Sequence, residues 1–316
     1  MDWENIDWKA LAQLRAAFLD GSAGTTDYWR NERVLESYDQ TFGQRIRWKW
    51  DYVLKELKAR NWTLPRGGIV DWGCGTGVAT RAVVAHFAFD PSSRINLWDR
   101  SPTAMQYAAR EIRELIPTVN VWLEKPAERP FGTLLISHVL TELTDVQVND
   151  LVALMSFATA VVWIEPGTYE ASRRLIAVRE RLRDAFHVVS PCTHRAACGM
   201  LTPANERHWC HHFAPSPPEV FMDGQWAKFA KLAGVDLRSL PVSFLVLDKR
   251  PQVYPDELRV IGRPRVYKAH ALVLGCDSSG VRERRYTKRE KPDLFRRLKK
   301  GDPVHYLPNR AHVPRP

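Results

Sequence analysis

One short stretch limits what this chain can fold into more than any other. Val70-Asp71-Trp72-Gly73-Cys74-Gly75-Thr76-Gly77 follows the apolar run Gly68-Ile69-Val70 and leads into Val78-Ala79-Thr80-Arg81-Ala82-Val83-Val84. The order predicts a buried strand, a glycine-rich turn and the first turns of a helix, which together present backbone N–H groups and a helix N-terminus to a nucleotide-like ligand. A side chain on the turn would hold that ligand off the backbone, and the turn calls for positive φ, so glycine is needed on two counts. The spacing D-x-G-x-G-x-G differs from the dinucleotide fingerprint G-x-G-x-x-G in its glycines and its leading carboxylate. A second carboxylate, Asp99, closes the next strand-like run, Ile95-Asn96-Leu97-Trp98, 22 residues beyond Gly77. That is about where an acidic residue takes a ribose diol. The bland reading is a glycine turn in some other α/β protein, and the paired carboxylates argue against it.

With both carboxylates in place, the stretch resembles motif I of the class I S-adenosylmethionine (SAM) methyltransferases, whose acidic residue faces the methionine end of the cofactor. Strand and helix signals alternate around it. Strand-like runs fall at 68–70, 95–98, 119–123, 133–137 and 160–165, with helical patterns from 78, at 102–115, through 146–155 and at 169–186. Apolar strands separated by amphipathic helices imply a mostly parallel sheet with helices on both faces, an α/β class I methyltransferase-like Rossmann fold. Ligands then sit at the carboxyl ends of the strands, which gives Asp71, Gly73, Gly75, Gly77, Asp99 and Ser137 as the cofactor-binding set. Residues 1–65 read as a helical region, its stripe at 45–57 packing onto the adjoining domain. The Rossmann domain is expected over 66–187. A metal-bearing, basic, β-containing extension is expected over 188–316, with strand-like runs at 243–247 and 267–274.

No apolar run is long enough to span a bilayer, which takes ~18 residues or more, so no membrane role is expected. The acidic start, Met1-Asp2-Trp3-Glu4-Asn5-Ile6-Asp7, resembles neither a secretory leader nor an Arg-rich transit peptide, and a cytoplasmic protein is expected. Charge is uneven. Residues 249–316 hold 18 Lys or Arg against 7 Asp or Glu, enough to account for the +10 of the whole chain. A field concentrated in one quarter suits a surface held against a polyanion, while a solvated basic tail is the plain alternative.

Three of the five cysteines, Cys192, Cys198 and Cys210, fall in one segment, 191–213, with five and eleven residues between them and few apolar side chains. Such a loop needs something to organise it, and disulfides are unsuited to a reducing compartment. A thiolate-bound metal centre is the better account, with inert small hydrophobes as the alternative. Spacing does not choose the metal. Three cysteines with one of His194, His208, His211 or His212 would hold zinc; four thiolates, with Cys276 as the fourth, suit zinc or an iron–sulfur cluster. Cys74 is a poor donor because its neighbours belong to the glycine loop.

These residues bring in a more specific likeness, covering roughly 28–300. Asp71-Trp72-Gly73-Cys74-Gly75-Thr76-Gly77, Ser137-His138-Val139-Leu140-Thr141-Glu142-Leu143, Ile164-Glu165-Pro166-Gly167-Thr168 and the cysteine segment ending His208-Trp209-Cys210-His211-His212-Phe213 resemble the methyltransferase-like assembly factors of the small ribosomal subunit. That family has mitochondrial members, among them the fungal mitoribosomal small-subunit protein, and bacterial homologues. Gly262-Arg263-Pro264-Arg265 through Cys276 to Tyr286-Thr287-Lys288 comes next, in the same order. The resemblance implies a 4Fe–4S cluster on Cys192, Cys198, Cys210 and Cys276, and binding to small-subunit rRNA in the assembling particle, as a monomer. It implies mitochondrial location for the eukaryotic relatives. Cations with interleaved rings supply a physical route to RNA: Arg263, Arg265, Lys268, Arg282, Arg284, Arg285 and Lys288, with Tyr267 and Tyr286. For methyl transfer the sequence offers less. The place of an Asn/Asp-Pro-Pro-aromatic tetrapeptide is taken by Ile136-Ser137-His138-Val139, and no Cys follows a Pro there. His138 is the one candidate general base, and a lone histidine beside a pocket more often lines it. The competing readings are an active SAM-dependent rRNA methyltransferase and a zinc-stabilised methyltransferase with a non-RNA substrate.

Overall fold

The computed structural model of the protein describes residues 3–21 and 27–309; residues 1–2 and 22–26 of the expected helical region lie outside that set. The chain divides into two compact units, Met1–Glu165 with Ala214–Leu240, and Pro166–Phe213 with Pro241–Pro316.

The first unit opens with α1 (Trp8–Asp20), α2 (Glu32–Tyr38) and α3 (Gln44–Ala59). Asp7 and Asn31 cap the first two, their side chains accepting from the Ala10 and Val34 amides at 2.9 and 3.1 Å. The predicted stripe is real: Trp50, Val53, Leu54 and Leu57 of α3 are fully buried. Then β1 (Ile69–Trp72), α4 (Val78–His86), β2 (Arg94–Trp98), α5 (Pro102–Leu115), β3 (Asn120–Leu123), β4 (Phe131–Ser137), α6 (Asp145–Met155) and β5 (Ala158–Pro166) alternate as expected. The strand order is β3-β2-β1-β4-β5, every pair parallel, with Ile69 opposite both Ile95 and Thr133. Strand order reverses between β1 and β4, so their carboxyl ends flank the crevice where such sheets bind ligands. A helix from later in the chain, Gly224–Ala233, belongs to this unit and packs Trp226 and Phe229 among Trp3, Trp8, Phe42 and Trp48.

In the second unit α7 (Tyr169–Leu182) is capped by Thr168 and followed by β6 (His187–Ser190) and β7 (His212–Ala214). Both strands pair with β8 (Leu240–Asp248), β6 antiparallel. A separate antiparallel sheet has the order β11-β10-β9-β12, built from β9 (Glu257–Val266), β10 (His270–Asp277), β11 (Gly280–Thr287) and β12 (Tyr306–Pro308). Leu258, Val260, Ala271 and Val273 form its core with Phe295 and Leu298 of the helix Pro292–Lys300. Gly275 is required on β10, since a Cβ there would lie 2.5 Å from the Leu258 side chain.

Candidate functional site

The glycine loop has the conformation its sequence calls for. Gly73, Gly75 and Gly77 all have positive φ. A Cβ on Gly73 would meet Val139 Cγ1 at 2.7 Å and one on Gly77 would meet Ala108 at 3.0 Å, whereas among the described residues one on Gly75 would meet only Trp29, at 4.0 Å. Gly75 is therefore the position where the backbone is free to meet a ligand. Its amide donates to Asp99 Oδ2 at 2.9 Å, and the Ser101 amide to Oδ1 at 3.0 Å, leaving each oxygen a lone pair for a hydroxyl. Asp71 is wholly buried; its Oδ2 accepts from the Thr80 hydroxyl and amide at 2.7 and 3.2 Å, and its Oδ1 has no partner among the described residues. A buried carboxylate oxygen left open in this way suits a cationic group of a ligand. Sequence reasoning missed Asp39. It lies in the π-helical turn Asp39–Gly43, accepts from Thr76 Oγ1 at 2.8 Å and pairs with Arg81, tying the helical region to the loop.

Burial lifts Asp71 to about 7, against the pull of the Thr80 hydrogen bonds. The folded protein thus holds this proton more tightly than the unfolded chain, whose carboxyl sits near 3.8. Stability contributed by such a group is full at low pH and is lost as pH rises from about 4 to 7. Asp71→Asn is expected to flatten that part of the ligand-free stability curve. Thermal melts at the two ends of the window test this, and an unchanged difference between them would count against it.

At the end of β4 the Ser137 hydroxyl accepts from Trp50 Nε1 at 3.0 Å, and His138 Nε2 lies 3.1 Å from Lys49 Nζ. His138 is in the left-handed region, φ 56°, a conformation non-glycine residues adopt at a cost. Burial lowers Lys49 to about 7 and holds His138 well below the usual imidazole range. Glu165 accepts from the Val139 and Leu140 amides and from Trp163 Nε1, leaving Oε2 without a partner among the described residues, and burial raises it to about 7. His138, itself half-buried, thus belongs to a polar cluster with Ser137 and the buried Lys49, and Lys49 was legible in principle. It is the one charge on the apolar stripe of α3, four residues before Val53.

The second unit brings together all four cysteines assigned as ligands. Cys192, after β6, Cys198, Cys210 and Cys276, at the end of β10, line one cavity with Ile176 and Arg179 of α7 and Phe244 of β8. Burial first, then the charge of Cys192, raises the thiols of Cys198 (to about 11), Cys210 and Cys276. His194 Nε2 lies 3.3 Å from Cys276 Sγ and His212 Nε2 3.8 Å from Cys210 Sγ. Arg179, 2% exposed, donates to the Ala196 carbonyl at 2.9 Å and pairs with Glu180. Burial opposes its charge, and Cys192 and Cys198 more than offset that, holding its pKa above the usual range. Among the described residues no group of three or more His, Cys, Asp or Glu side chains is arranged to hold a single metal ion.

Arg263, Arg265, Lys268, Arg282, Arg285 and Lys288 are exposed on β9–β11 and the turns between them. Arg265 pairs with Glu283 and Arg282 approaches Asp277 at 3.7 Å. Arg284 is half-buried and bound to Asp277, with Asn309 at 3.3 Å, so its charge serves the hairpin beside Cys276. Tyr267 is exposed and stacks on His270 at 4.8 Å.

The strand order, the glycine loop and the paired carboxylates define a class I SAM methyltransferase-like Rossmann fold. The chain belongs to the family described as mitochondrial small ribosomal subunit Rsm22, whose model matches residues 49–304. No curated protein matches it significantly. Among solved structures it is similar to SAM-bound magnesium protoporphyrin IX methyltransferase from Synechocystis PCC 6803, at 11% identity and TM-score 0.42 over 76% of this chain and 97% of that one. Plantazolicin methyltransferase BamL is similar at 9% identity and TM-score 0.39, over 76% and 98%. So is precorrin-6y C5,15-methyltransferase from Geobacter metallireducens GS-15, at 12% and 0.38, over 64% and 87%. Among the described residues no helix is long and apolar enough to cross a membrane.

Proposed function

We propose that this protein is an rRNA-binding, SAM-binding assembly factor of the small ribosomal subunit that carries a 4Fe–4S cluster on Cys192, Cys198, Cys210 and Cys276. The observation that carries the reading is the meeting of these four thiols, from two separated stretches of chain, the 191–213 segment and β10, at one cavity. Four thiolates suit a cluster that takes one per iron. When bound, the cluster supplies bonds that hold the 191–213 loop to β10; Arg179 sets a positive charge against the sulfurs, and His194 and His212 hold two of them by hydrogen bonds. Asp71, Gly73, Gly75, Gly77, Asp99 and Ser137 hold SAM, with Asp71 taking the ammonium and Asp99 the ribose hydroxyls. Cofactor binding falls to the Rossmann strands within 66–187, and the cluster and RNA to 188–316 together with α7, in the cytoplasm, as a monomer.

Metal and cofactor analysis after oxygen-free purification tests this. Iron and sulfide near four per chain support it, and stoichiometric zinc in a colourless protein would replace it with the zinc reading. A second reading, methyl transfer to rRNA, is favoured by the Lys49–His138 pair at the end of β4. Transfer of label from tritiated SAM to immature small subunits would establish it. For RNA, Arg263→Gln with Arg285→Gln is expected to weaken binding to small-subunit rRNA and lower the slope of log affinity against log salt by about 2. An unchanged slope would return these side chains to a solvated face.

A further inference from the structure

The segment that supplies Cys210 has two faces. Cys210 lines the sulfur cavity and His212 is 3% exposed, while the residues between and beside them, Trp209, His211 and Phe213, are half-buried on the other side. An extended chain alternates in this way. The outer rings form a continuous row. Trp209 and His211 stack at 4.6 Å and 22°, and His211 meets Phe213 edge-on at 5.4 Å. Tyr169, 45% exposed, meets Trp209 at 6.0 Å. A guanidinium caps each end, Arg263 4.2 Å above the Phe213 ring and Arg173 5.2 Å from that of Tyr169.

The row is held in place by polar contacts. Trp209 Nε1 donates to the Gly167 carbonyl at 2.9 Å, and the Tyr169 hydroxyl donates to the Glu206 carbonyl at 2.8 Å. Gly262, with φ +65°, leaves the space that His211 occupies; a Cβ there would sit 3.0 Å from the imidazole. Nothing in the sulfur chemistry requires rings on this face. From the row, the exposed face of β9 continues through Arg263 and Arg265.

We infer that the outer face of this segment is a stacking platform for the unpaired bases of single-stranded RNA. The inference rests on the RNA-binding reading above and adds the place and the form of RNA. Rings at successive positions accept bases of any identity through their π faces, and the arginines at either end meet the phosphates on both sides. A duplex hides its base faces and gains only the charge term.

The test uses the full-length holoprotein and a fluorescently labelled oligouridylate of about 12 nucleotides, within the span such surfaces cover, beside an RNA duplex of equal length. Anisotropy is read across a salt series. Trp209→Leu and Phe213→Leu, which keep apolar bulk and lose the aromatic face, are each expected to weaken single-strand binding about tenfold with the salt slope unchanged. Trp209→Phe is expected to restore most of the loss, which separates stacking from damage to the fold. Leucine variants that bind as tightly as the parent, or a parent that prefers duplex, would overturn the platform while leaving RNA binding intact. A parent that binds neither RNA removes the RNA reading itself.

Discussion

Cys198→Ser protein purified without oxygen is expected to emerge colourless, with iron and sulfide close to background and a melting transition about 10 °C lower than the parent's. The size depends on what else holds the loop. Polar ties are present: Arg173 donates to the carbonyls of Met200, Asn205 and Glu206, and Asn205 Nδ2 donates to Gly199 and Val281. The carbonyl of Cys210 accepts from Ser172 and Ser243. Each such bond contributes only about 1 kcal/mol net, and the apolar lining of the cavity is modest, Leu175, Ile176, Met200, Phe244, Leu245, Ile261 and Val281 beside the cysteines. With the proposed cluster in place, iron–sulfur bonds to Cys192, Cys198, Cys210 and Cys276 would dominate, because binding to a site that exists only in the folded chain adds directly to folding free energy. Loss of a metal centre belongs with the large single-site effects, of about 4 kcal/mol or more, and in a unit of this size each 1 kcal/mol moves the midpoint by roughly 2–4 °C. Cys74→Ser is the matched control. Cys74 is buried in the glycine loop of the other unit, and its iron content should stay at the parent's level. Full iron occupancy in Cys198→Ser, with an unmoved melt, would return that thiol to a small buried hydrophobe.

How much of the fold and site is legible in the sequence depends on which forces leave a mark there. The parallel strands are buried on both faces, so β1, β2, β4 and β5 stand out as apolar runs whose ends agree with the structure to within a few residues. The glycine loop is equally legible, since positive φ and close approach leave glycine no substitute. Convergence of the four sulfurs is a tertiary fact. The family resemblance supplies Cys276 as the fourth ligand, and spacing alone leaves the choice open. The basic end reads as a strand at 267–274 within a charged region, and β9, β11 and the helix Pro292–Lys300 are not foreseen. β11 has no fully buried residue and carries charges at 282–285, and β9 is buried only over 258–261, Arg259 included, so neither strand shows a clean alternation. Lys49 is marked in the sequence only as a charge on the apolar stripe of α3, and its partner His138, 89 residues away, is a tertiary fact. Arg179 escapes notice because a cation on a helix is ordinarily solvent-exposed, and only the cavity reveals what it faces.

Gly75→Val is expected to reduce SAM affinity at least a hundredfold, with the fold retained. Two effects act together at this residue. Its φ of +50° lies in the left-handed region, which costs a β-carbon residue about 1–2 kcal/mol and a branched one more. Relaxing that strain moves the amide that donates to Asp99 Oδ2, so the carboxylate assigned to the ribose loses its orientation. The new methyl groups would also stand beside Trp29, where the loop otherwise offers bare backbone to a ligand. Gly77→Ala separates this from general damage. A Cβ there would press on Ala108 at 3.0 Å and on Ile112 at 3.5 Å, so its cost falls on the packing of α4 against α5 and appears as a lower melting temperature. The two variants should therefore differ in kind. Gly75→Val loses heat on titration with SAM beyond what any fall in its melting temperature explains, and Gly77→Ala, whose φ of +75° is also left-handed, shows the larger fall in melting temperature. Unaltered calorimetric affinity in Gly75→Val would place the nucleoside somewhere other than this loop, and the assignment of Asp71 and Asp99 would fall with it.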